Sequence, residues 1–196
     1  MKLNYEVYNL RQLMESEESV ANDLVQEITR FSCQKNPSVE AFLLHSSLEF
    51  TKKNQSVTYL VLSPSEEIVG YFTLSIKPIR VNTELFSKTI KKKIARVGKE
   101  TETEGEYSLA AYLIAQLGKN ESSQDTISGK QLLQCAIDKI YDLQYAAGGM
   151  VMFLESENHE KLLDFYIAQN GFKIFDIRKR TGEEDTDKLV QMLRVM

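Results

Sequence analysis

The strongest constraint on the fold lies in the second half of the chain, where two apolar segments flank a helical pattern. The segment YSLAAYLIAQLG (107–118) is almost continuously apolar, which is typical of a central strand covered on both faces. GGMVMFLES (148–156) is a second buried strand. Between them, apolar residues recur in pairs at helical spacing: Leu132, Leu133, Ala136, Ile137, Ile140 and Tyr141. This strand–helix–strand order predicts a sheet covered by helices.

Other segments alternate apolar and polar residues, or are rich in β-branched and aromatic residues, as strands are. They are LNYEVYNL (3–10), SVTYLVLS (56–63), IVGYFTLSIKPI (68–79), FKIFDIR (172–178) and KLVQMLRV (188–195). Two helices are predicted between the first two, the second running from an N-cap at Ser38 to about Asn54. The resulting order is β-α-α-β-β-(insertion)-β-α-β-α-β-β. It indicates a mixed α/β (α+β) fold with a mostly antiparallel central sheet flanked by helices.

The length of 196 residues suits a single domain spanning 1–196, with a charged insertion at 82–106 before the central strand. The insertion carries basic and then acidic residues: Lys88, Lys91, Lys92, Lys93, Arg96 and Lys99, then Glu100, Glu102, Glu104 and Glu106. We expect a basic helix followed by an acidic loop. Such charge runs are usually solvated faces, and the formal net charge of −4 disfavours binding to nucleic acid through overall charge. A local nucleic-acid-binding patch is the alternative.

The composition argues against several classes of protein. Cys33 and Cys135 are far apart and match no metal-ligand spacing, so we expect two reduced, buried thiols and neither a metal site nor a disulfide framework. No apolar run approaches the ~20 residues that span a bilayer, and the strand-like N-terminal residues contain no signal-peptide core. We therefore expect a soluble, cytoplasmic protein with no membrane partner.

One helix start has a pattern typical of anion binding. In QDTISGK (124–130), the small residues Ser128 and Gly129 would let a phosphate approach the free main-chain N–H groups, and Lys130 adds a positive charge. Many helices begin with serine and glycine, so an ordinary helix start is the alternative.

Tyr166 is a second candidate. It lies in LLDFYIAQNGF (162–172), where Leu162 and Tyr166 fall at helical spacing and Asn170 and Gly171 indicate the end of the helix. The residues alone favour packing of the ring in an apolar stripe. A chemical role for its hydroxyl is the alternative.

Four stretches, in this order, match motifs of one known family: FSCQKNPSVEAFL, GYFTLS, AQLGKNESSQDTISGKQLL and LLDFYIAQNGF. The third is similar to a cofactor motif in which a strand end is followed by QGxGxGxxLL. The fourth is similar to a helix that ends in FYxxxGF. On these stretches the chain resembles the GNAT superfamily of acetyl-CoA-dependent N-acetyltransferases, and within it the bacterial toxin-type branch. The resemblance implies a GNAT-like fold whose central strand splays from its neighbour where the cofactor binds.

The resemblance also implies roles for individual residues. The tyrosine that matches Tyr166 protonates the departing CoA thiolate. The attacking amine must also lose a proton, and Glu106, at the start of the central strand, is a candidate base by its position, with a solvated residue of the acidic loop as the alternative. Asn158 matches a residue that contacts the pantetheine arm, but its spacing to Tyr166 is one residue longer than in the family. The implied cofactor-binding residues are Leu117, Lys119, Gln124, Asp125, Thr126, Ile127, Ser128, Gly129, Lys130 and Asn158.

The cofactor loop departs from the family motif. Asp125 and Ile127 replace its first two glycines, and Gly129 keeps the last one. The Asp125 carboxylate would repel a pyrophosphate unless the side chain turns away, and Ile127 is comfortable only at a negative φ. We therefore expect weaker or altered binding of acetyl-CoA.

The implied function is transfer of an acetyl group from acetyl-CoA to a primary amine, by direct attack in a ternary complex and without a metal. The acceptor is a small molecule or, as in toxin-type relatives, the aminoacyl group of a charged tRNA. An antitoxin partner and a homodimer are further expectations. The alternative is a GNAT-fold binding or regulatory module with weak or no catalysis, which the lost glycines favour.

Overall fold

The strands form one mixed sheet. The computed structural model describes residues 5–16, 18–179 and 188–196. Its strands are β1 (Glu6–Asn9), β2 (Val57–Leu62), β3 (Ile68–Asn82), β4 (Lys99–Glu100), β5 (Glu106–Lys119), β6 (Val151–Glu157), β7 (Lys173–Lys179) and β8 (Lys188–Val195). Hydrogen bonding orders them β1-β2-β3-β5-β6-β8-β7, and β4 pairs with β5 beside this path.

The helices connect these strands. They are α1 (Leu10–Met14), α2 (Glu18–Thr29), α3 (Pro37–His45), α4 (Ser47–Lys52), α5 (Lys88–Val97), α6 (Gly129–Ala147) and α7 (Glu160–Leu163). A short 3-10 turn (Thr83–Leu85) precedes α5, and α7 continues as a π-helical segment (Asp164–Gln169). The described residues between β1 and β2 thus contain four helices, where the sequence pattern predicts two.

The helix predicted to reach Asn54 is interrupted. Ser46 ends α3 and leads into α4, with a φ of −122° and a ψ of −26°. The Ser47 hydroxyl donates a hydrogen bond to the Leu43 carbonyl oxygen at 2.6 Å. Such bonds from serine to the preceding turn bend helices, which accounts for the break.

The predicted N-cap at Ser38 is wrong. The side-chain oxygen of Asn36 accepts a hydrogen bond from the Val39 N–H, so Asn36 is the N-cap of α3. Pro37 then occupies the first turn, where its missing N–H costs nothing. The Ser38 hydroxyl donates to Asn36 Oδ1 at 2.7 Å and so supports the cap.

Parallel pairing occurs at one place among the described strand pairs. β5 and β6 run parallel, whereas the other described pairs are antiparallel. The β5–β6 register runs from Tyr112↔Met152 to Ile114↔Leu154, although β5 continues to Lys119 and β6 to Glu157. The predicted mixed α/β fold with a mostly antiparallel sheet is confirmed.

The described residues divide into two compact units. The first falls within residues 1–75 and 115–139. Its core is formed by Leu10, Ile28, Phe31, Cys33, Val39, Leu43, Leu60, Ile68 and Tyr71. The Tyr71 ring meets the Phe31 ring edge-on at 5.3 Å between centroids, and its hydroxyl donates to the Val39 carbonyl oxygen at 2.6 Å. This hydrogen bond ties β3 to α3 inside the core.

The second unit falls within residues 76–114 and 140–196. Its core is formed by Ile79, Val81, Ile94, Leu109, Ala111, Val151, Phe153, Phe175 and Leu193. The insertion belongs to this unit, because α5 contributes Ile94 and the two residues of β4 pair with Tyr107 and Ser108 of β5. The predicted basic helix is confirmed as α5. A single domain over 1–196 stays a prediction.

Cys33 and Cys135 are free and buried, as predicted. Burial raises the pKa of the Cys135 thiol to about 11, which keeps it protonated near neutral pH. None of the described helices combines the length and the apolar character needed to cross a membrane.

The hydrogen bond from Tyr71 to Val39 predicts a measurable loss of stability on its removal. We expect Tyr71→Phe to lower the free energy of unfolding by about 1 kcal/mol, because one buried hydrogen bond is lost while the ring remains. Urea denaturation measures this change. Tyr145→Phe is the matched control, since the Tyr145 side chain is 95% exposed, and we expect no change from it. Equal stability of the two variants would contradict this account of the core.

Candidate functional site

The start of α6 is fixed by a reciprocal cap. Ser128 N–H and Ser128 Oγ both donate to Gln131 Oε1, at 3.0 and 2.7 Å, and the Gln131 N–H donates back to Ser128 Oγ at 3.2 Å. This is a capping box, which satisfies free N–H groups of the first turn with the helix's own side chains. The Ser128 N–H, predicted to face a cofactor, is therefore already engaged.

The loop before α6 wraps around the carboxylate of Glu67. Glu67 Oε2 accepts hydrogen bonds from Ser123 Oγ at 2.5 Å, from the Gln124 N–H at 2.9 Å and from the Asp125 N–H at 3.4 Å. The Ser123 hydroxyl, followed by the main chain of Asp125, lowers the pKa of Glu67 below its usual value. Glu67 is therefore ionised at neutral pH, and two N–H groups predicted to bind phosphate point at an anion of the protein itself.

The Asp125 side chain turns away from the loop. Its carboxylate accepts a hydrogen bond from the Ser65 hydroxyl, in the turn that joins β2 to β3. The hydroxyls of Ser65 and then Ser63 lower the pKa of this carboxyl. The sequence predicts that a phosphate can bind only if the Asp125 side chain turns away, and the structure meets this condition. The negative charge of the Asp125 carboxylate nevertheless stays next to the loop.

The remainder of the loop is well anchored. The Ile127 side chain is 3% exposed, and its φ lies outside the left-handed region, as its β-branched side chain requires. The Thr126 carbonyl oxygen accepts a hydrogen bond from the Tyr5 hydroxyl at 2.9 Å. The loop, which lacks the motif's first two glycines, is thus held by burial and by side-chain hydrogen bonds.

A smaller set of donors stays available. Among the described residues, no acceptor is found for the main-chain N–H groups of Thr126, Ile127, Gly129 and Lys130. The Lys130 side chain is exposed beside them. These donors, together with the positive end of α6, could hold an anion.

Leu117 and Lys119 lie at the end of β5, beyond its last described pair with β6. Gly118 between them packs closely against the first unit's core. A Cβ placed on Gly118 would lie 2.5 Å from Val39 Cγ1 and 2.9 Å from Tyr71 Cε1, so no side chain fits there. The main chain of this strand end is therefore held in place from one side.

Tyr166 lies in the second unit, on the π-helical segment. Its ring is half-buried and meets two rings edge-on, Phe165 at 5.0 Å and Phe172 at 6.1 Å between centroids. Burial raises the pKa of Tyr166 to about 12, and the hydroxyl makes no hydrogen bond to the described residues. Leu162, expected on the same apolar stripe, is instead 36% exposed. The structure thus presents a protonated, unengaged phenol.

The chain enters and leaves this segment through defined caps. His159 is the N-cap of α7, with its Nδ1 accepting from the Lys161 N–H at 3.3 Å. After Asn170, Gly171 adopts a φ of +72°, and the N–H of Phe172 donates to the Tyr166 carbonyl oxygen at 3.0 Å. The predicted helix stop at Asn170 and Gly171 is confirmed.

Asn158 is exposed and precedes the His159 cap. It lines a surface cleft of about 570 Å³ with residues of α7 and the π-helical segment, among them Leu163 and Ile167. Asn158 and Tyr166 thus belong to one connected piece of the second unit.

Glu106 lies at the first residue of β5. Its Oε2 accepts a hydrogen bond from Thr101 Oγ1 at 2.7 Å, and its N–H donates to the Thr103 carbonyl oxygen at 3.1 Å. Within the described part of the chain, no hydrogen bond or ring contact links Glu106 to Tyr166. The structure therefore does not join the two predicted catalytic residues.

Sequence reasoning missed two residues at the α6 start. Gln131 forms a visible pattern with Ser128, serine followed three positions later by glutamine, and could have been found. Glu67 carries no such local signal, because it lies 56 residues from Ser123. In the described ranges, no group of three or more His, Cys, Asp and Glu side chains is arranged to hold a metal ion.

No family profile and no curated protein sequence matches the chain. Solved structures match its fold. AtaT complexed with acetyl-methionyl-tRNAfMet is 18% identical, with a TM-score of 0.63 over 95% of this chain and 93% of that chain. A Tyr-to-Phe mutant of the AtaT toxin, bound to acetyl-CoA and the C-terminus of the antitoxin AtaR, is 14% identical, with a TM-score of 0.60 over 98% and 94%. A Tyr-to-Phe mutant of KacT is 18% identical, with a TM-score of 0.61 over 97% and 95%. The predicted GNAT-like fold is confirmed, since the chain has the same fold as these toxins.

Proposed function

We propose that the chain is an N-acetyltransferase that transfers an acetyl group from acetyl-CoA to a primary amine. The observation that carries this proposal is Tyr166: a half-buried phenol, protonated at neutral pH, whose hydroxyl makes no hydrogen bond to the described residues. The fold supports it, since the toxins of the same fold were solved with acetyl-CoA or with an acetylated aminoacyl-tRNA. A fold alone hosts many functions, so the tyrosine is the necessary second argument.

For this reaction the protein must position the two substrates and supply a proton to the leaving sulfur. The amine nitrogen attacks the acetyl carbonyl carbon, the carbon–sulfur bond breaks, and Tyr166 Oη gives its proton to the leaving sulfur. The raised pKa of about 12 keeps this proton on the phenol until it is needed. The same desolvation raises the pKa of a thiol beside the ring. The pKa values of the phenol and the thiol therefore shift in the same direction, and the proton transfer stays feasible. Glu106 is the carboxylate we propose as the acceptor of the amine proton.

The loop before α6 would hold the pyrophosphate of acetyl-CoA. The unengaged N–H groups of Thr126, Ile127, Gly129 and Lys130 suit an anion, and the Lys130 ammonium adds charge. Gln124, Asp125 and Ser128 would contribute position and shape, because their own N–H groups are engaged. We propose that the main chain at Leu117 and Lys119, and the Asn158 amide, contact the pantetheine arm.

For the acceptor we propose an aminoacyl-tRNA. AtaT was solved with acetyl-methionyl-tRNAfMet, and this chain carries a basic surface in its second unit. Lys88, Lys91 and Lys92 are exposed on α5. A cleft of about 180 Å³ next to α5 has Lys93, Lys173 and Arg194 in its lining and no acidic residue. Such a surface suits a polyanion despite the acidic total charge.

With this acceptor, we propose that the reaction takes place in the cytoplasm. An antitoxin is the partner we propose alongside it, since the AtaT toxin was solved bound to the C-terminus of AtaR.

A second candidate function is a binding or regulatory module of the same fold. The occupation of the Gln124 and Asp125 N–H groups by Glu67 favours it, because fewer donors are left for a cofactor. The free Tyr166 hydroxyl favours the enzyme.

Binding and turnover of acetyl-CoA separate the two candidates. We expect calorimetry to detect acetyl-CoA binding in the micromolar range or above, and acetyl transfer to at least one member of an amine panel that includes charged tRNA. Binding without transfer to any amine would support the regulatory module. No heat of binding at high micromolar acetyl-CoA would contradict the enzyme.

Replacement of Tyr166 by Phe should lower the rate of acetyl transfer while leaving acetyl-CoA affinity nearly intact. The ring packing is kept and the proton donor is lost, so we expect a decrease of about a hundredfold. Steady-state kinetics and calorimetry on the same preparations measure the two effects. Tyr145→Phe, at a 95% exposed position, is the control. An unaltered rate would return Tyr166 to a purely packing role.

The basic surface of α5 predicts weaker tRNA binding on charge reversal. We expect the double variant Lys91→Glu, Lys92→Glu to lose about tenfold in affinity, because contacts to phosphates are replaced by repulsion. Lys93 is left intact, since its Nζ donates to the Met196 main-chain oxygen at 3.0 Å. Filter binding at fixed salt measures the effect. The control Lys52→Glu, Lys53→Glu changes the net charge equally at the end of α4, where Lys52 is the last helical residue and Lys53 is the C-cap. Equal tRNA affinity of the two double variants would contradict a role of the α5 surface in tRNA binding.

A further inference from the structure

The loop before α6 holds an anion that belongs to the protein. Three donors of residues 123–125, two of them main-chain N–H groups, converge on Glu67 Oε2. Consecutive N–H groups that point at one oxygen form the kind of nest that binds phosphate. The Glu67 carboxylate thus accepts the same hydrogen bonds that a phosphate oxygen would accept at this place.

The charges around the loop add to this effect. Asp125 brings a second carboxylate, held by Ser65 on the same side as Glu67, in the turn between β2 and β3. Against these two negative charges, residues 123–130 contain one basic residue, Lys130. A pyrophosphate that approached the loop would meet like charges close by.

We propose that Glu67 is an internal anion that competes with the pyrophosphate of acetyl-CoA for the N–H groups of Gln124 and Asp125. This inference rests on the proposed function and adds a residue that sets cofactor affinity. Full use of the loop by the cofactor requires the Glu67 carboxylate to leave these donors. Bound through Thr126, Ile127, Gly129 and Lys130 alone, the cofactor is held by fewer donors and beside a negative charge.

The opposing role for Glu67 is that of a latch. On that account its hydrogen bonds hold the loop in the shape that the cofactor needs, as the missing glycines would otherwise do. The two roles predict opposite changes in affinity when the charge is removed.

The test is Glu67→Gln, which removes the charge and keeps a carbonyl oxygen that can accept the same N–H groups. We expect acetyl-CoA to bind about tenfold more tightly, the size expected when one like charge beside a bound anion is removed. Acetyl-pantetheine, which lacks the pyrophosphate, should bind equally to wild type and variant. Glu66→Gln removes the same charge one residue away, where the side chain is exposed, and should leave both affinities unchanged.

Calorimetry with both ligands decides between the roles. Tighter binding of acetyl-CoA alone supports competition. Unchanged or weaker binding of acetyl-CoA to Glu67→Gln, with wild type binding measurably, overturns it in favour of a latch or a neutral contact. Tighter binding of both ligands also overturns it, because the effect would not involve the pyrophosphate. No acetyl-CoA binding by wild type or by any variant contradicts the proposed function itself, and this inference with it.

Discussion

The parallel pairing of β5 and β6 is the constraint on which the rest of the site depends. A parallel pair cannot be closed by a tight turn, so the chain must cross over, and α6 is that crossover. The crossover brings the start of a helix, with its free N–H groups, to the loop that follows the end of β5. The capping box of Ser128 and Gln131 then fixes where the helix begins. The position of the loop thus follows from strand direction before any side chain of the loop is considered.

Within that loop, the protein uses side chains where the family motif uses glycines. Glycines leave main-chain N–H groups open to a ligand, because no side chain competes for the space or for the hydrogen bonds. Here the Ile127 side chain is buried beneath the loop, and the carboxylate of Glu67 takes two of the N–H groups. The gain is that the loop is held by hydrogen bonds to Glu67 and by the buried Ile127 side chain. The cost is that an anionic ligand must displace a hydrogen-bonded anion or use fewer donors.

The elements that could be predicted from the sequence are those with a short-range pattern of apolar residues. The apolar run of β5 and the paired apolar residues of α6 fix the strand–helix–strand unit, because each pattern lies within one element. The break of the helix at Ser46 depends on a side-chain hydrogen bond one turn back, which composition does not reveal. The contact of Glu67 with the loop could not be predicted either, since nothing near Ser123 in the sequence indicates a partner 56 residues away. Tertiary hydrogen bonds, which set the electrostatics of the site, were the part that remained hidden.

Tyr166 lies where the helix departs from regular α-helical geometry. π-Helical turns are rare, and they are frequent at functional sites. The segment Asp164–Gln169 is such a turn, and it holds the Tyr166 ring against Phe165 and Phe172. The same packing shields the ring and keeps the proton on the hydroxyl at neutral pH, which is the state that a proton donor requires.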